Sequence, residues 1–334
     1  MLNVVTMKGD ERAALIELGA AETGLSEAIV EKDIWVCYLL DYLFHRSEFK
    51  GSVIFKGGTS LSKAYGLIER FSEDVDLILD WRLIGYGLDE PWEERSNTRQ
   101  DKFKLETIER TDAYLAGTFA PSLKAGISEE LGIDADVRMG DAEETVLFAY
   151  PRLFSSEATL DVVKLEIGPL AAWTPSAPAK ITPYLAELHP QLFSSPSTII
   201  ETAVAERTFW EKATILHQEA NRPEGKAMPR RYARHYYDMH RLAQSDVAAR
   251  AMGQPELLAR VVAFKEKFYR TPWSKLADAK PGTLKLAPQP ERMGELEADY
   301  DAMRPMIFGE APAFGDVVET MRELERLINE RTSE

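Results

Sequence analysis

Along the chain the apolar positions change period several times, and each change marks an element. Residues 9–20 and 26–45 carry apolar side chains at helical spacing. In the second stretch Ile29, Ile34, Val36, Tyr38, Leu39, Tyr42 and Leu43 make a broad apolar surface behind Ser26, a plausible N-cap. Glu31, Lys32 and Asp33 near its start read as a solvated early turn with local ion pairs. Val53–Phe55 is a brief β-branched and aromatic run stopped by Gly57 and Gly58; Leu61, Ala64, Tyr65 and Ile68 then recur at helical spacing. In the next strand Asp74 and Asp76 share one face, and Val75, Leu77 and Leu79 take the other. A polar loop to about Thr98, long enough to be functional or mobile, leads to a helix over 100–116. Three strand-like runs follow, Asp134–Met139, Thr145–Phe154 and Thr159–Ile167, so the expected sheet is mixed with about five strands. Gly168–Pro183, rich in Ala, Pro and Ser, reads as the boundary between lobes. Beyond it the pattern is helical, over about 202–219, 231–244, 254–268, 291–304 and 314–331. The expected architecture is therefore α+β: a sheet-bearing lobe over 1–170 and a mostly helical lobe over 171–334.

Composition narrows the function classes. At 334 residues the chain exceeds one typical core, and its 45% apolar and 28% charged residues are those of an ordinary soluble protein. No apolar run approaches the roughly 18 residues that span a bilayer, and the N-terminus lacks a signal-peptide profile. The lone Cys37 excludes an internal disulfide, which makes a reducing cytoplasm the expected compartment. A net charge of −15 argues against indiscriminate nucleic-acid binding, though not against a local basic groove.

The candidate chemistry centres on Lys56-Gly57-Gly58-Thr59-Ser60 and the strand that follows. Glycines let the backbone turn sharply and approach a ligand, and amides at a helix start attract anions. Two carboxylates beside such a turn point to a divalent metal and a nucleotide, because phosphoryl and nucleotidyl transfer need charge neutralised at the triphosphate. On the strand Leu160–Ile167, Glu166 is a candidate third metal ligand or base, with Lys164 as its alternative structural partner. Lys212, beside the apolar stripe of Phe209, Trp210, Ala213 and Leu216, reads on spacing alone as a snorkelling surface lysine. Arg231, Arg234, His235 and Asp238 fall at i, i+3, i+4 and i+7 of an expected helix, with an Arg234–Asp238 pair. With Arg207 and Arg230 they suit a phosphate- and base-contacting surface.

The run Phe55-Lys56-Gly57-Gly58-Thr59-Ser60-Leu61-Ser62-Lys63-Ala64-Tyr65, followed by Arg70-Phe71-Ser72-Glu73-Asp74-Val75-Asp76-Leu77, resembles the AbiEii/AbiGii-type nucleotidyltransferase toxins. The resemblance continues through Glu31–Asp33, Val163–Glu166, Phe209–Lys212, Arg231–Asp238 and Asp299–Phe308, nearly the whole chain. It implies a polymerase-beta-like nucleotidyltransferase lobe followed by a helical lobe that completes the site. It further implies that Asp74 and Asp76 bind Mg²⁺ (or Mn²⁺) and a nucleoside triphosphate, with Lys212 and Asp238 completing the catalytic set. Apart from the resemblance, the residue pattern makes Gly57, Gly58, Thr59, Ser60, Lys63 and Ser72 the candidate nucleotide-binding residues, Glu166 a candidate third metal ligand, and Arg207, Arg231, Arg234 and His235 candidate acceptor contacts. Relatives include toxins that add nucleotides to the 3′ acceptor end of tRNA and are neutralised by an antitoxin, here expected to be a winged-helix protein. In some, the serine matching Ser72 is phosphorylated, which would set negative charge against the metal-binding acids. One departure from the wider superfamily is Thr59, where many members have Ser directly after the second glycine. Two other readings stay open: transfer to a small molecule such as an aminoglycoside or to a protein hydroxyl, and a non-catalytic nucleotide-binding module.

Overall fold

In a computed structural model of the chain, the structure describes residues 1–72, 74–156, 160–169 and 175–331. They divide into two compact units: 1–65, 71–169 and 176–203 in the first, and 66–70, 175 and 204–331 in the second.

The first unit is built on one mixed sheet. Its strands are β1 (Val53–Lys56), β2 (Asp74–Leu79), β3 (Asp136–Met139), β4 (Thr145–Ala149), β5 (Val163–Gly168), β6 (Ser176–Ile181) and β7 (Thr198–Ala203), in the order β3-β4-β5-β2-β1-β7-β6. The pairs β2–β5 and β1–β7 are parallel and the rest antiparallel. Around the sheet lie α1 (Leu2–Val5), α2 (Gly9–Thr23), α3 (Glu27–His45), α4 (Gly57–Lys63), α5 (Asn97–Tyr114), α6 (Ala120–Leu131) and α7 (Tyr184–Leu188). Period-two alternation gives the sheet two unlike faces. Val53, Phe55, Val75, Leu77, Val146, Phe148, Val163, Leu165 and Ile167 are buried on one. Helix α3 covers that side: Trp35 stacks on Tyr150 with ring centroids 5.7 Å apart and meets Phe148 edge-on. Each such large side chain removed from water contributes about 1.5–3 kcal/mol. On the opposite face Ile54, Lys56, Asp74, Asp76, Lys164 and Glu166 are only half-buried.

Three expectations need correction. The sheet has seven strands, not about five, because β6 and β7 join its β1 edge. Their Ala- and Pro-bearing sequences carry a weak strand pattern; Pro178 is tolerated because β6 is an edge strand, where a missing N–H costs little. The first unit includes both strands and runs to residue 203, and the helix expected from 202 starts at Ala205. Residues 159 and 170–174, part of the expected third strand and lobe boundary, lie outside the described residues. The Glu31–Lys32–Asp33 turn is interior rather than solvated. Glu31 accepts hydrogen bonds from the N–H groups of Leu153 and Phe154, the Lys32 ammonium donates to the Leu160 carbonyl at 3.1 Å, and Asp33 accepts from the Tyr184 N–H at 2.7 Å. Burying these charges is tolerable because each meets a partner.

The second unit is helical among its described residues: α8 (Ala205–Ala220), α9 (Ala233–Ala243), α10 (Asp246–Met252), α11 (Pro255–Phe268), α12 (Met293–Met303) and α13 (Phe314–Glu330). Phe209, Trp210, Leu216, Tyr236, Tyr237, Met239, Leu242, Met321 and Leu324 are buried in its core. Segment 66–70 joins it through a bridge between Arg70 and Ile307 and through the Phe308 N–H, which donates to the Glu69 carbonyl. Among the described residues no helix is long and apolar enough to cross a membrane.

Candidate active site

The acid-bearing half belongs to the first unit. Gly57 opens α4 at φ +81°, in the left-handed region that favours glycine, and a Cβ there would overlap the Asp76 carboxylate. The turn is therefore shaped so that the carboxylate can lie directly on its backbone. The Thr59 hydroxyl donates to the Asp74 carbonyl and ties α4 to β2, while the Ser60 hydroxyl donates to the Gly57 carbonyl at 2.8 Å. Register aligns Asp76 with Glu166 and Asp74 with Lys164 across the parallel β2–β5 pair, so all four side chains share the half-buried face. The Lys164 ammonium sits 2.5 Å from Glu166 and 3.7 Å from Asp74. Burial works against its charge, but these two carboxylates outweigh it and raise the pKa above the ordinary lysine value.

Among the described residues no three His, Cys, Asp or Glu side chains form a ready-made metal cluster. The donors present still fit a hard divalent cation. Mg²⁺ is commonly held by one or two carboxylates, with substrate phosphates and water filling the rest of its shell. Asp74 and Asp76 supply that pair, and Glu166 stands in register as a third.

Several expected nucleotide contacts are placed elsewhere. The Thr59 and Ser60 side chains are buried and hydrogen-bonded to backbone, so their hydroxyls serve the turn itself. Lys63 reaches away from the turn: its ammonium is 2.8 Å from Asp33 and 3.5 Å from the centre of the Tyr184 ring. Burial opposes the Lys63 charge, but Asp33 overcomes it and the pKa ends above the usual value. Ser72 is half-buried, two residues before Asp74.

In the second unit Asp238 is fully buried between two cations. Arg70 grips it with both arms of its fork, Nε to Oδ1 at 2.6 Å and Nη2 to Oδ2 at 2.7 Å, and the Lys212 ammonium donates to Oδ2 at 2.6 Å. Burial alone would raise the carboxyl pKa; Arg70 and Lys212 together hold it well below the carboxylate range. For Lys212 burial lowers the pKa, Asp238 opposes, and Arg70 and Arg234 add to the lowering. Thus Lys212 is an interior lysine, not a snorkelling one, and Asp238 pairs with Arg70 and Lys212 rather than with Arg234. Arg70 opens the motif run Arg70–Leu77 without a role of its own in the sequence; its signal there is a cation set between the apolar Ile68 and Phe71.

The expected acceptor surface is only partly assembled. Arg207 is 1% exposed and held by Glu211 at 2.8 Å, which removes it from any surface groove. Arg231 adopts φ +62° ahead of α9, its N–H donating to Asp299, so it does not continue the helical stripe. Burial first, then Lys212 and Arg234, drive the His235 pKa well below its usual value and keep it neutral.

A mixed sheet in which a glycine turn and short helix lead into a strand with two carboxylates on one face suits nucleotidyl transfer. Over residues 39–322 the chain matches the family model described as nucleotidyl transferase AbiEii toxin, type IV TA system, and it belongs to that family. It is thus a nucleotidyltransferase toxin of a toxin–antitoxin system. Among solved structures it is similar to MenT4, a nucleotidyltransferase toxin from Mycobacterium tuberculosis H37Rv, with 16% identity and a TM-score of 0.53 over 95% of this chain and 90% of that one. No curated protein matches by sequence.

Proposed function

We propose that the protein transfers a nucleoside monophosphate from a triphosphate to the 3′ end of tRNA in a metal-dependent reaction. The observation that carries this reading is the seating of Asp76 on the Gly57 turn, beside Asp74 and in register with Glu166. Asp74 and Asp76 hold Mg²⁺ or Mn²⁺, with Glu166 as a further ligand, and the backbone of Gly57 and Gly58 meets the triphosphate. The metal, when bound, supplies charge neutralisation at the phosphates. Lys164 already balances Asp74 and Glu166, which limits the uncompensated negative charge at the site.

Lys212 stabilises charge on the phosphates, and Asp238 orients Lys212 or the nucleobase end. Arg231, Arg234 and neutral His235 are the remaining acceptor contacts. A phosphate on Ser72 would silence the enzyme by repelling the adjacent acids. The family implies an antitoxin partner, proposed here to be a winged-helix protein, and a cytoplasmic site of action.

The test is incubation with total tRNA and each labelled triphosphate, with and without Mg²⁺. Asp74→Ala serves as control. Label at the 3′ end of tRNA, absent with Asp74→Ala or with EDTA, is expected. Label on no RNA with any nucleotide would remove the tRNA assignment.

A further inference from the structure

The turn before β4 holds a glutamate in an unusual backbone state. Glu144 has φ +56°, a conformation that glycine and asparagine adopt more readily than glutamate. Two hydrogen bonds impose it: its N–H donates to Asp112 of α5 at 2.7 Å, and its carbonyl accepts from the Ile167 N–H at 2.8 Å. The strained turn directs the carboxylate over Gly168, where a Cβ would lie 3.6 Å from Oε2. Gly168 follows Glu166 on the same side of β5 and pairs in register with Ile78, two residues beyond Asp76. The Glu144 carboxylate therefore stands on the acid-bearing face beside Gly168, which is one side-chain step, roughly 6–7 Å, along β5 from Glu166, the residue paired with Asp76; Asp74 lies one step further along the sheet. Among the described residues no side chain hydrogen-bonds or ion-pairs with it, unlike Glu31, Asp33 and Asp238 elsewhere in the chain. Strain of this kind concentrates at functional positions.

We propose that Glu144 is the general base of the transfer reaction; the assignment rests on the nucleotidyl-transfer reading above. Its carboxylate accepts the proton of the acceptor hydroxyl. The freed electron pair on that oxygen forms the new O–P bond at the α-phosphorus of the triphosphate. The bond from the α-phosphorus to the bridging oxygen breaks, and pyrophosphate leaves with that electron pair.

The surroundings suit the task. Burial raises the carboxyl pKa to about 7, aided by Asp112 and Glu143, while Lys56 and Lys104 pull the other way. A base whose pKa lies close to the working pH combines a useful deprotonated fraction with a strong driving force for proton transfer. The sign follows: the carboxyl must be ionised to act, so transfer falls as pH drops through about 7.

Glu144→Gly removes the carboxyl and relieves the backbone, and Glu144→Gln keeps shape without basicity. Each is compared with wild type by thermal unfolding, triphosphate KM, and the pH profile of kcat for labelling total tRNA. The expected result is a glycine variant with an unfolding midpoint at or above that of wild type. Both variants should keep KM within about threefold, lose kcat by about 10²–10⁴-fold, and lack the acid limb near pH 7. A glycine variant retaining more than about a tenth of kcat, or a wild-type profile without that limb, overturns the assignment. Wild type that labels no acceptor removes the transfer reading itself, and Glu144 as its base with it; active wild type with active variants removes Glu144 alone.

Discussion

Gly57 shows what one residue decides. Its missing Cβ is the space against which the Asp76 carboxylate rests, and its φ of +81° suits glycine. Gly57→Ala is expected to cost about 1–3 kcal/mol in backbone strain and to push Asp76 out of line. Mn²⁺ affinity, followed by EPR titration, should then fall by about tenfold or more; unchanged affinity would show that the seating does not matter for metal. The glycine and both acids were legible in the sequence, because a turn signal followed by alternating acids has a physical meaning of its own. The fate of Thr59, Ser60 and Lys63 was not. Spacing says where a side chain points from its own element, but not whether Asp33 and Tyr184 wait to receive it.

Among the elements, α9 and segment 66–70 make the comparison. The helix was legible from its period, yet its chemistry depends on Arg70, 168 positions earlier in the chain. Removing Asp238 would leave Arg70 and Lys212 as uncompensated buried cations. Asp238→Ala is therefore expected to destabilise by about 3–5 kcal/mol in urea unfolding. By contrast, Arg326→Ala on α13, which breaks exposed pairs with Glu323 and Glu330, should leave the urea-unfolding midpoint nearly unchanged. Equal effects would contradict the burial argument. The charged turn of α3 teaches the same lesson: three consecutive charges look like a solvated first turn until β-lobe backbone is brought around them.

For the whole molecule the measurable consequence of the site is linkage. A ligand at about 100 times its Kd stabilises the folded state by roughly 2.7 kcal/mol. In a chain of 334 residues that corresponds to a rise of about 4 °C in the unfolding temperature. Mg²⁺ with the correct triphosphate should give this shift in wild type by scanning fluorimetry, and Asp76→Ala should abolish it. A shift that survives Asp76→Ala would place the nucleotide elsewhere.

By itself the sequence determined the local grammar: the glycine stop, the strand that puts Asp74 and Asp76 on one face, the run of amphipathic helices in the C-terminal part, and the family those motifs mark. These are properties of short-range geometry, where two-residue and 3.6-residue periods act directly. Only the tertiary structure decided that β6 and β7 complete the sheet, that Glu166 stands beside Asp76, and that Arg207 is interior. The same holds for Glu144, bent over Gly168 from a turn that carries no motif. Each of these depends on strand register or on a long-range partner. Burial and charge balance come from the neighbours a fold brings together, and neither is encoded in the spacing of residues along one segment.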